Sequence, residues 1–496
     1  VGEANYILGL DVGTKKIAAL LGHSRGSQLT LCAVGLAPSE GLRRGEVIDL
    51  EKATGCISRA LANLHLPTRL ESFGFKAAGE VAPVAEGTQR QAAAGSQPGA
   101  SFNPQISPPR FPPGKAFKAS AFGRPVLPRR VWIGISGDHI RCFNPRAAVS
   151  VHRPGRAITP RDVEQAMREA VKSVSLPAGH EVVHVIARSF AIEDFSRPEE
   201  ALKAEKEAPP SLSAGGFRNN IANPVGMCAS RLEVQAHVIT ASSAALAHLE
   251  HCVEQAGLSV EGIVLEPLAS GDAVLSEAER DLGVALLDLG AGTTDIAIFV
   301  AGSVCFSGSL ALGGNHITRD LAVGLEIDLE EAENLKISSG CALIDMVGQE
   351  ERVNLRPLSA ASAQQAPRRL LAEIIQPRAA EILSLAKEQM VRSGFFHRLA
   401  VGAVLTGGAS QLEGLLPLAK QVLGLPVRLG RPFGFAWDGH FGRGGANLKD
   451  PALATGIGLL IYGCHEQVPS PAGAWPQVRS SLPVRLLGWW KHLFGP

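Results

Sequence analysis

The residues best placed to do chemistry form the run Asp288-Leu289-Gly290-Ala291-Gly292-Thr293-Thr294-Asp295, between the apolar stretches Leu286–Leu287 and Ile296–Phe299. A carboxylate ends one strand, a glycine turn follows, and a second strand leaves, so the run reads as a β-hairpin with a phosphate-sized tip. Gly290 and Gly292 can take positive φ and put no Cβ between backbone N–H groups and an anion, so those amides can converge on phosphate oxygens. Asp288 at the strand end suits a hydrated Mg2+, and the hydroxyls of Thr293 and Thr294 add donors. A glycine-rich hairpin alone is a weak signal.

A second copy strengthens it. Leu8-Gly9-Leu10-Asp11-Val12-Gly13-Thr14-Lys15-Lys16-Ile17 repeats the order of strand, Asp, glycine turn with Thr, and strand. Two matched hairpins far apart in one chain predict a duplicated unit with a nucleotide between the copies; two unrelated tight hairpins are the plainer alternative. Further on, Val401–Leu405 reads as a buried strand broken by Thr406-Gly407-Gly408, and Ser410-Gln411-Leu412-Glu413 as a capping box that opens a helix. That order lets the backbone of Gly407 and Gly408 lie flat against a planar base or ribose.

The elements that must position these groups follow from periodicity. After the first hairpin come a strand at Leu29–Leu36 and a helix capped by Asp49, with Ile57, Ala60, Leu61 and Leu64 at helical spacing. This β-β-β-α order matches the start of a ribonuclease-H-like subdomain. From Gly74 to Pro128 the periodicity disappears into Ala, Gly, Pro, Gln and Ser, which predicts disorder. Its basic residues, Lys115, Lys118, Arg124, Arg129 and Arg130 among them, suit either a solvated loop or contact with an anionic surface.

A strand at Val131–Ser136 then leads into a small α/β module. It reads as a strand near His139–Val151, a helix capped by Thr159 with Pro160 at its first position, and a strand at Val182–Ala187. A second loose stretch covers about 196–220. The Leu232–Thr240 strand, the Ser243–Ala256 helix stopped by Gly257, and the Val260–Leu265 strand complete the first half. Leu268–Glu277 reads as a bridging helix. Beyond the central hairpin come a strand at Val304–Leu312, a helix from Asn315, and one capped by Asp328 that carries Glu333 and Lys336. Leu371–Met390 is helical with Pro377 as a kink or boundary. Asp450-Pro451 opens a last helix, in which Gly456 and Gly458 permit close crossing of a partner.

Composition narrows the class. A chain of 496 residues, 45% hydrophobic, has core enough for several domains. A net charge of +1 gives no electrostatic case for nucleic acid. The eight Cys include no CxxC pair and read as reduced thiols of a cytoplasmic protein rather than disulfides or zinc ligands. With a strand expected already at Tyr6–Leu10, the sequence from Val1, which could be clipped, predicts no signal peptide, and the longest apolar run, near Ile457–Tyr462, is too short to span a membrane.

At the far end, Pro469, Pro471 and Pro476 mark a linker. At 100° per residue, Leu482, Leu486, Leu487, Trp489, Trp490, Leu493 and Phe494 then fall in one arc, opposite Arg485, Gly488, Lys491 and His492. Such a helix suits the headgroup region of an anionic membrane, or alternatively docks on its own domain.

Together these motifs resemble the actin/Hsp70/sugar-kinase superfamily and, within it, the family of the bacterial cell-division protein FtsA. The likeness is carried by Gly9 to Lys16, Val131 to Gly137, Asn223-Pro224-Val225-Gly226, Glu266 to Ser270, Asp288 to Asp295, Leu405 to Ala409 and Ala454 to Leu459. It implies an α/β, duplicated ribonuclease-H-like fold of two lobes. The implied parts are a first-lobe core at 1–137 with the 74–128 insertion, an extra α/β subdomain at 138–231, and a return to the core with the bridging helix at 232–281. The second lobe would follow as core at 282–318, outer subdomain at 319–375 and core at 376–463, then a linker at 464–481 and a membrane-targeting helix at 482–496. The 74–128 insertion departs from the family's pattern.

The resemblance also implies ATP and Mg2+ in the cleft. Gly13, Thr14, Lys15, Gly290, Gly292, Thr293 and Thr294 would meet phosphates, and Asp11 and Asp288 the Mg2+ shell. Glu333 and Lys336 would face the ribose, and Gly407 and Gly408 the adenine. Asp272, by alignment with actin's water-positioning residue, would orient the attacking water of a weak or conditional ATPase; otherwise it is a helix-surface carboxylate. Implied partners are a second copy of the chain, the C-terminal peptide of FtsZ, other division proteins, and an anionic membrane met by Leu486, Leu487, Trp489, Trp490, Leu493, Phe494, Arg485 and Lys491. Arg368 and Arg369 lie in the portion of the chain where an acidic peptide would bind, and otherwise read as solvated surface charges. The implied place is the cytoplasmic face of the cell membrane at the division site. A sugar kinase would need a sugar pocket, and a chaperone a large domain after residue 463. An actin-like scaffold of the type IV pilus system, which normally lacks a Trp-rich terminal helix, is the competing reading.

Overall fold

The computed structural model describes residues 5–25, 28–64, 128–151, 157–193, 217–358, 364–437 and 447–467. Apart from Pro128, the 74–128 insertion lies outside the described residues, as does everything from 468 onward, including the 482–496 amphipathic run.

Two sheets repeat one plan. The first runs Gln28–Pro38, Lys16–Arg25, Asn5–Val12, Arg130–Ile135, Ser259–Leu265. The second runs Ser303–Leu310, Thr294–Val300, Val284–Leu289, Gly402–Thr406, Val427–Leu429. In both, the first three strands are antiparallel neighbours and the last two are added in parallel. Val284–Leu289 is buried along its whole length, which is why it reads as an almost unbroken apolar run. The outer edge of the first sheet is partly covered by Ala436–Trp437, which pairs with Thr30 and Leu31.

Between the sheets two helices cross, Glu266–Val274 and Ala454–Gln467. The crossing depends on glycine, since a Cβ on Gly458 would stand 1.8 Å from the Ala269 carbonyl oxygen. Gly456 faces the first sheet instead, where a Cβ would lie 2.4 Å from Leu20 Cδ1. Leu20, Trp132, Leu268, Leu286, Phe299 and Leu460 form one core that draws on both sheets and both helices. A second core lies among the helices Gly314–Gly324, Arg368–Arg392 and Leu415–Leu423 and the second sheet. The inserted module has its own core around Val163, Met167, Phe190 and Leu232.

Several local expectations are corrected. The strand expected near His139–Val151 is two, Arg141–Phe143 and Arg146–Ser150, separated at Asn144-Pro145 because Pro145 has no N–H for a ladder. The end of the loose stretch expected at 196–220 is the strand Phe217–Ile221, paired with His180–Glu193; residues 194–216 lie outside the described set. The bridging helix ends at Val274, and Ser276 opens a separate helix, Glu277–Leu282, through a capping box with Glu279. Pro377 sits inside one continuous helix. The Ser410–Glu413 capping box does not form. Ser410 Oγ donates instead to the Gly407 carbonyl at 2.7 Å, and the helix starts after Gly414 at φ 75°. Cys464 to Gln467, expected in the linker, finish the last helix.

Candidate functional site

Both hairpin tips close by the same bond. The Gly13 N–H donates to the Lys16 carbonyl at 3.1 Å, and the Gly290 N–H to the Thr293 carbonyl at 2.9 Å. Register sets Asp11 opposite Ala18 and Asp288 opposite Asp295, one residue inside each tip. Gly290 and Gly292 are not among the glycines with positive φ, so the conformational part of the expected reason for glycine there does not hold. The need is close approach. A Cβ on Gly292 would stand 2.6 Å from Thr14 Oγ1, so the tip of one hairpin rests against the tip of the other. Gly313 is pressed in the same way, its Cβ position 2.6 Å from the Gly290 carbonyl oxygen.

Behind the tips four carboxyl groups interact. Asp11 accepts from Lys16 Nζ at 2.7 Å. Asp288 is buried and accepts from the hydroxyls of Ser270 and Thr455, one from each crossing helix, the latter at 3.3 Å. Burial first, and then the charge of Asp11, outweigh these bonds and push its carboxyl up to about 6. Asp295 is pushed up to about 7, again by burial and then by Asp288 despite its hydroxyl bonds, one of them from Thr293 at 3.2 Å. Glu266 is raised well above the usual carboxylate range by burial and then by Asp11, Asp295 and Asp288. Glu266 belongs to the Glu266 to Ser270 motif of the resemblance, which assigns it no role at the site. The usable signal was Glu266-Pro267 directly after an apolar strand, since proline in a first turn marks a helix start and puts the Glu side chain at the sheet's end.

Asp272 lies further along the same helix and is engaged elsewhere. Its carboxylate pairs with Arg280 at 2.8 Å, and the Arg280 guanidinium lies 5.2 Å from the Phe299 ring centroid. The threonine hydroxyls are also occupied, Thr294 donating to the Leu312 carbonyl at 2.8 Å and Thr293 to Asp295. Backbone amides are therefore the donors that the second tip offers.

A second wall is polar and tightly bonded. Lys336 Nζ donates to Glu333 Oε2 at 2.6 Å, to Thr318 Oγ1 at 2.8 Å and to the Gly314 carbonyl at 3.2 Å. Burial works against the Glu333 charge, yet bonds from Lys336 and Thr318 hold its carboxyl below the ordinary value. Lys15, from the first hairpin, comes within 4.0 Å of Glu333 Oε1. Gly407 and Gly408 do different jobs. A Cβ on Gly407 would fall 2.3 Å from Asp288 Oδ1, so that glycine makes room for the carboxylate. At Gly408 the nearest atom, Ala452 Cβ, is 3.8 Å away, which leaves an open backbone face.

Arg368 holds the outer subdomain together, donating to the Ser339 carbonyl at 2.8 Å, to Glu351 at 2.7 Å and to Glu413. Arg369 pairs only along its own helix with Glu373 and remains half exposed. The residues expected to meet a membrane, Arg485 to Phe494, lie outside the described residues.

Duplicated sheets on a shared pair of crossing helices, each presenting an Asp-bearing hairpin to the other, define the actin-like class. A chain of the PilM–PilN type IV pilus biogenesis complex shares the fold, with a TM-score of 0.55 at 18% identity over 94% of this chain and 99% of that one. The family model described as "Cell division protein FtsA" matches residues 285–458, and that of the "SHS2 domain inserted in FTSA" matches residues 137–200. Cell division protein FtsA of Pseudomonas aeruginosa is 30% identical over 469 residues, 94% of this chain and 91% of the relative. That of Escherichia coli is 29% identical over 488 residues, 97% and 95% of the two chains. The chain belongs to the FtsA family of cell-division proteins.

Proposed function

We propose that the chain binds Mg-ATP between its lobes, self-associates, and tethers FtsZ filaments to the inner face of the cytoplasmic membrane during septum assembly. The nucleotide reading rests on the meeting of the two tips at Thr14 and Gly292 in front of Asp11 and Asp288. Gly13 and Gly290, whose N–H groups close the tips, would shape the loops around the phosphates, and amides of Thr14, Lys15, Gly292, Thr293 and Thr294 would hold them, as converging backbone N–H groups do elsewhere. Glu333 and Lys336 would meet the ribose and the open face of Gly408 the base.

The donor set fits Mg2+. Asp11 and Asp288 are hard oxygen donors, and the crowding that raises Asp288, Asp295 and Glu266 is what a divalent cation relieves. Bound there, Mg2+ would screen phosphate charge. Glu266, rather than Asp272, is the residue we assign to orienting water, because it faces the acids of both hairpins. Slow turnover is expected. Titration of a fluorescent ATP analogue tests the site: Asp11→Asn and Asp288→Asn should each weaken Mg2+-dependent binding more than about tenfold, or about 1.4 kcal/mol. Unchanged affinity in both overturns it.

Membership of a cell-division family and the amphipathic pattern of 482–494 support the tether. Arg369, half exposed and paired only at the surface with Glu373, is the cation we assign to the acidic FtsZ peptide. Co-sedimentation with anionic liposomes at two salt concentrations, with and without ATP, should pellet the full chain but not one ending at Gln477. If both stay in solution the tether is wrong, and a scaffold that does not meet lipid takes its place.

A further inference from the structure

We propose that Glu46, Asp138 and His139 form a binding site for a divalent transition metal of the Zn2+ class, joining the first lobe to the start of the inserted module. The site is made by two turns that lock together. The hairpin of Leu42–Arg43 and Glu46–Val47 reverses through Arg44 at φ 53° and Gly45 at φ 82°, the paired positive values of a tight hairpin turn. A Cβ on Gly45 would stand 2.5 Å from the Ser136 carbonyl oxygen. From the other side Gly137, at φ 134°, leaves room for a Cβ only 2.8 Å from His139 Nδ1 and 3.0 Å from the Arg44 carbonyl oxygen. The approach of these turns brings Glu46 to Asp138 and His139.

One ligand atom from each of the three side chains lies within 4.8 Å of the others. His139 is only 8% exposed, and among the described residues neither ring nitrogen makes a well-aligned hydrogen bond. Its nearest polar contact is with Glu46 Oε1, 3.2 Å from Nδ1, and leaves Nε2 with no such contact among the described residues. An imidazole left so is costly, because a buried polar atom normally finds a partner. Burial also pushes the ring's pKa down, although Glu46 and Asp138 oppose it, and neutral imidazole is the form that ligates. Asp138 is exposed and Glu46 half-buried, so both can close the small remaining distance and an ion has a way in.

One imidazole and two carboxylates balance a divalent charge and leave a fourth tetrahedral position for water. The imidazole favours Zn2+, Co2+ or Ni2+ over Mg2+ or Ca2+, which keeps this site chemically apart from the acids of the cleft.

The test uses the full chain, stripped of metal, with Mg2+ present to fill the cleft. Zn2+ binding is followed by calorimetry and metal analysis, beside Glu46→Gln/Asp138→Asn, whose changes reach solvent and leave the core intact, as circular dichroism would verify. Wild type should bind one more equivalent than the double variant and melt at a higher temperature with Zn2+. The double variant should lose that shift and bind more than about tenfold more weakly, since changes even outside the ligand shell cost about 10–100-fold. X-ray absorption should show nitrogen and oxygen ligands without sulfur. Equal stoichiometry and affinity in both proteins, a sulfur-bound ion, or no zinc bound overturns the assignment. His139→Gln should match the double variant; if it fails to fold, the double variant still decides.

Discussion

The two hairpins share a backbone plan and differ in how each keeps a carboxylate out of water. Asp11 has its counter-charge on its own hairpin, in Lys16 at 2.7 Å. Asp288 lies among neutral hydroxyls supplied by the crossing helices, and its carboxyl is pushed up to about 6. One copy has a cation bonded to its carboxylate; the other has hydroxyls in that place. The duplicated unit has thus divided the work, lysines and their charge on the first lobe, close-packed glycine and hydroxyl groups on the second.

The comparison presumes that the lobes are halves of one body, and the largest predicted effect tests that. Gly458→Val would drive a side chain into the Ala269 carbonyl and should destabilise the protein by about 3 kcal/mol, the upper part of the usual range for overpacking. Urea unfolding followed by tryptophan fluorescence and circular dichroism should still show one coincident transition, because both sheets share a core. Two separated transitions would break the comparison.

A similar effect sharpens it. Asp288 titrates near 6 in the folded state against an ordinary 3.8, so its favourable contribution is full below 3.8 and is lost as pH rises through 6. At pH 7 without divalent cations the ionised group costs about 3 kcal/mol. Asp288→Asn should therefore raise stability in EDTA at pH 7, with the gain vanishing toward pH 4. Asp11→Asn should bring no such gain, because it strands Lys16. Matching pH profiles for the two variants would remove the asymmetry.

Smaller changes address the contact of the tips. Gly292→Ala should cost about 1–2 kcal/mol by crowding Thr14, and Thr14→Ala should recover most of it, a coupling that a double-mutant cycle measures. Thr455→Val removes one hydroxyl from Asp288 and should cost about 1 kcal/mol.

Much of this was legible in the sequence because the relevant signals are local. Asp, glycine and threonine repeat at matched positions around apolar runs, which gave both hairpins and, through the duplication, the plan of the sheets. The caps at Asp49, Thr159 and Asp328 depend on residues three apart and were equally readable. What escaped depends on tertiary contact. Ser410 could cap a helix, but the tight approach of Gly407 to Asp288 draws its hydroxyl to the Gly407 carbonyl instead. Glu266 looks like an ordinary helix-start carboxylate until the two sheets bring Asp11 and Asp288 to it. Asp272 had the right spacing for its expected role, yet its neighbour after folding is Arg280.

The glycine crossing of Glu266–Val274 with Ala454–Gln467 also limits how the molecule moves. Because apolar side chains of both sheets meet in one core around these helices, the lobes are fastened to each other at the root. Away from that root, at the cleft's mouth, Lys15 and Glu333 face each other at 4.0 Å. Parting the lobes at the root would bring Leu20, Leu268, Leu286 and Leu460 into water, at about 1.5–3 kcal/mol for each side chain fully exposed. Separation at the root is the stiff coordinate of this molecule.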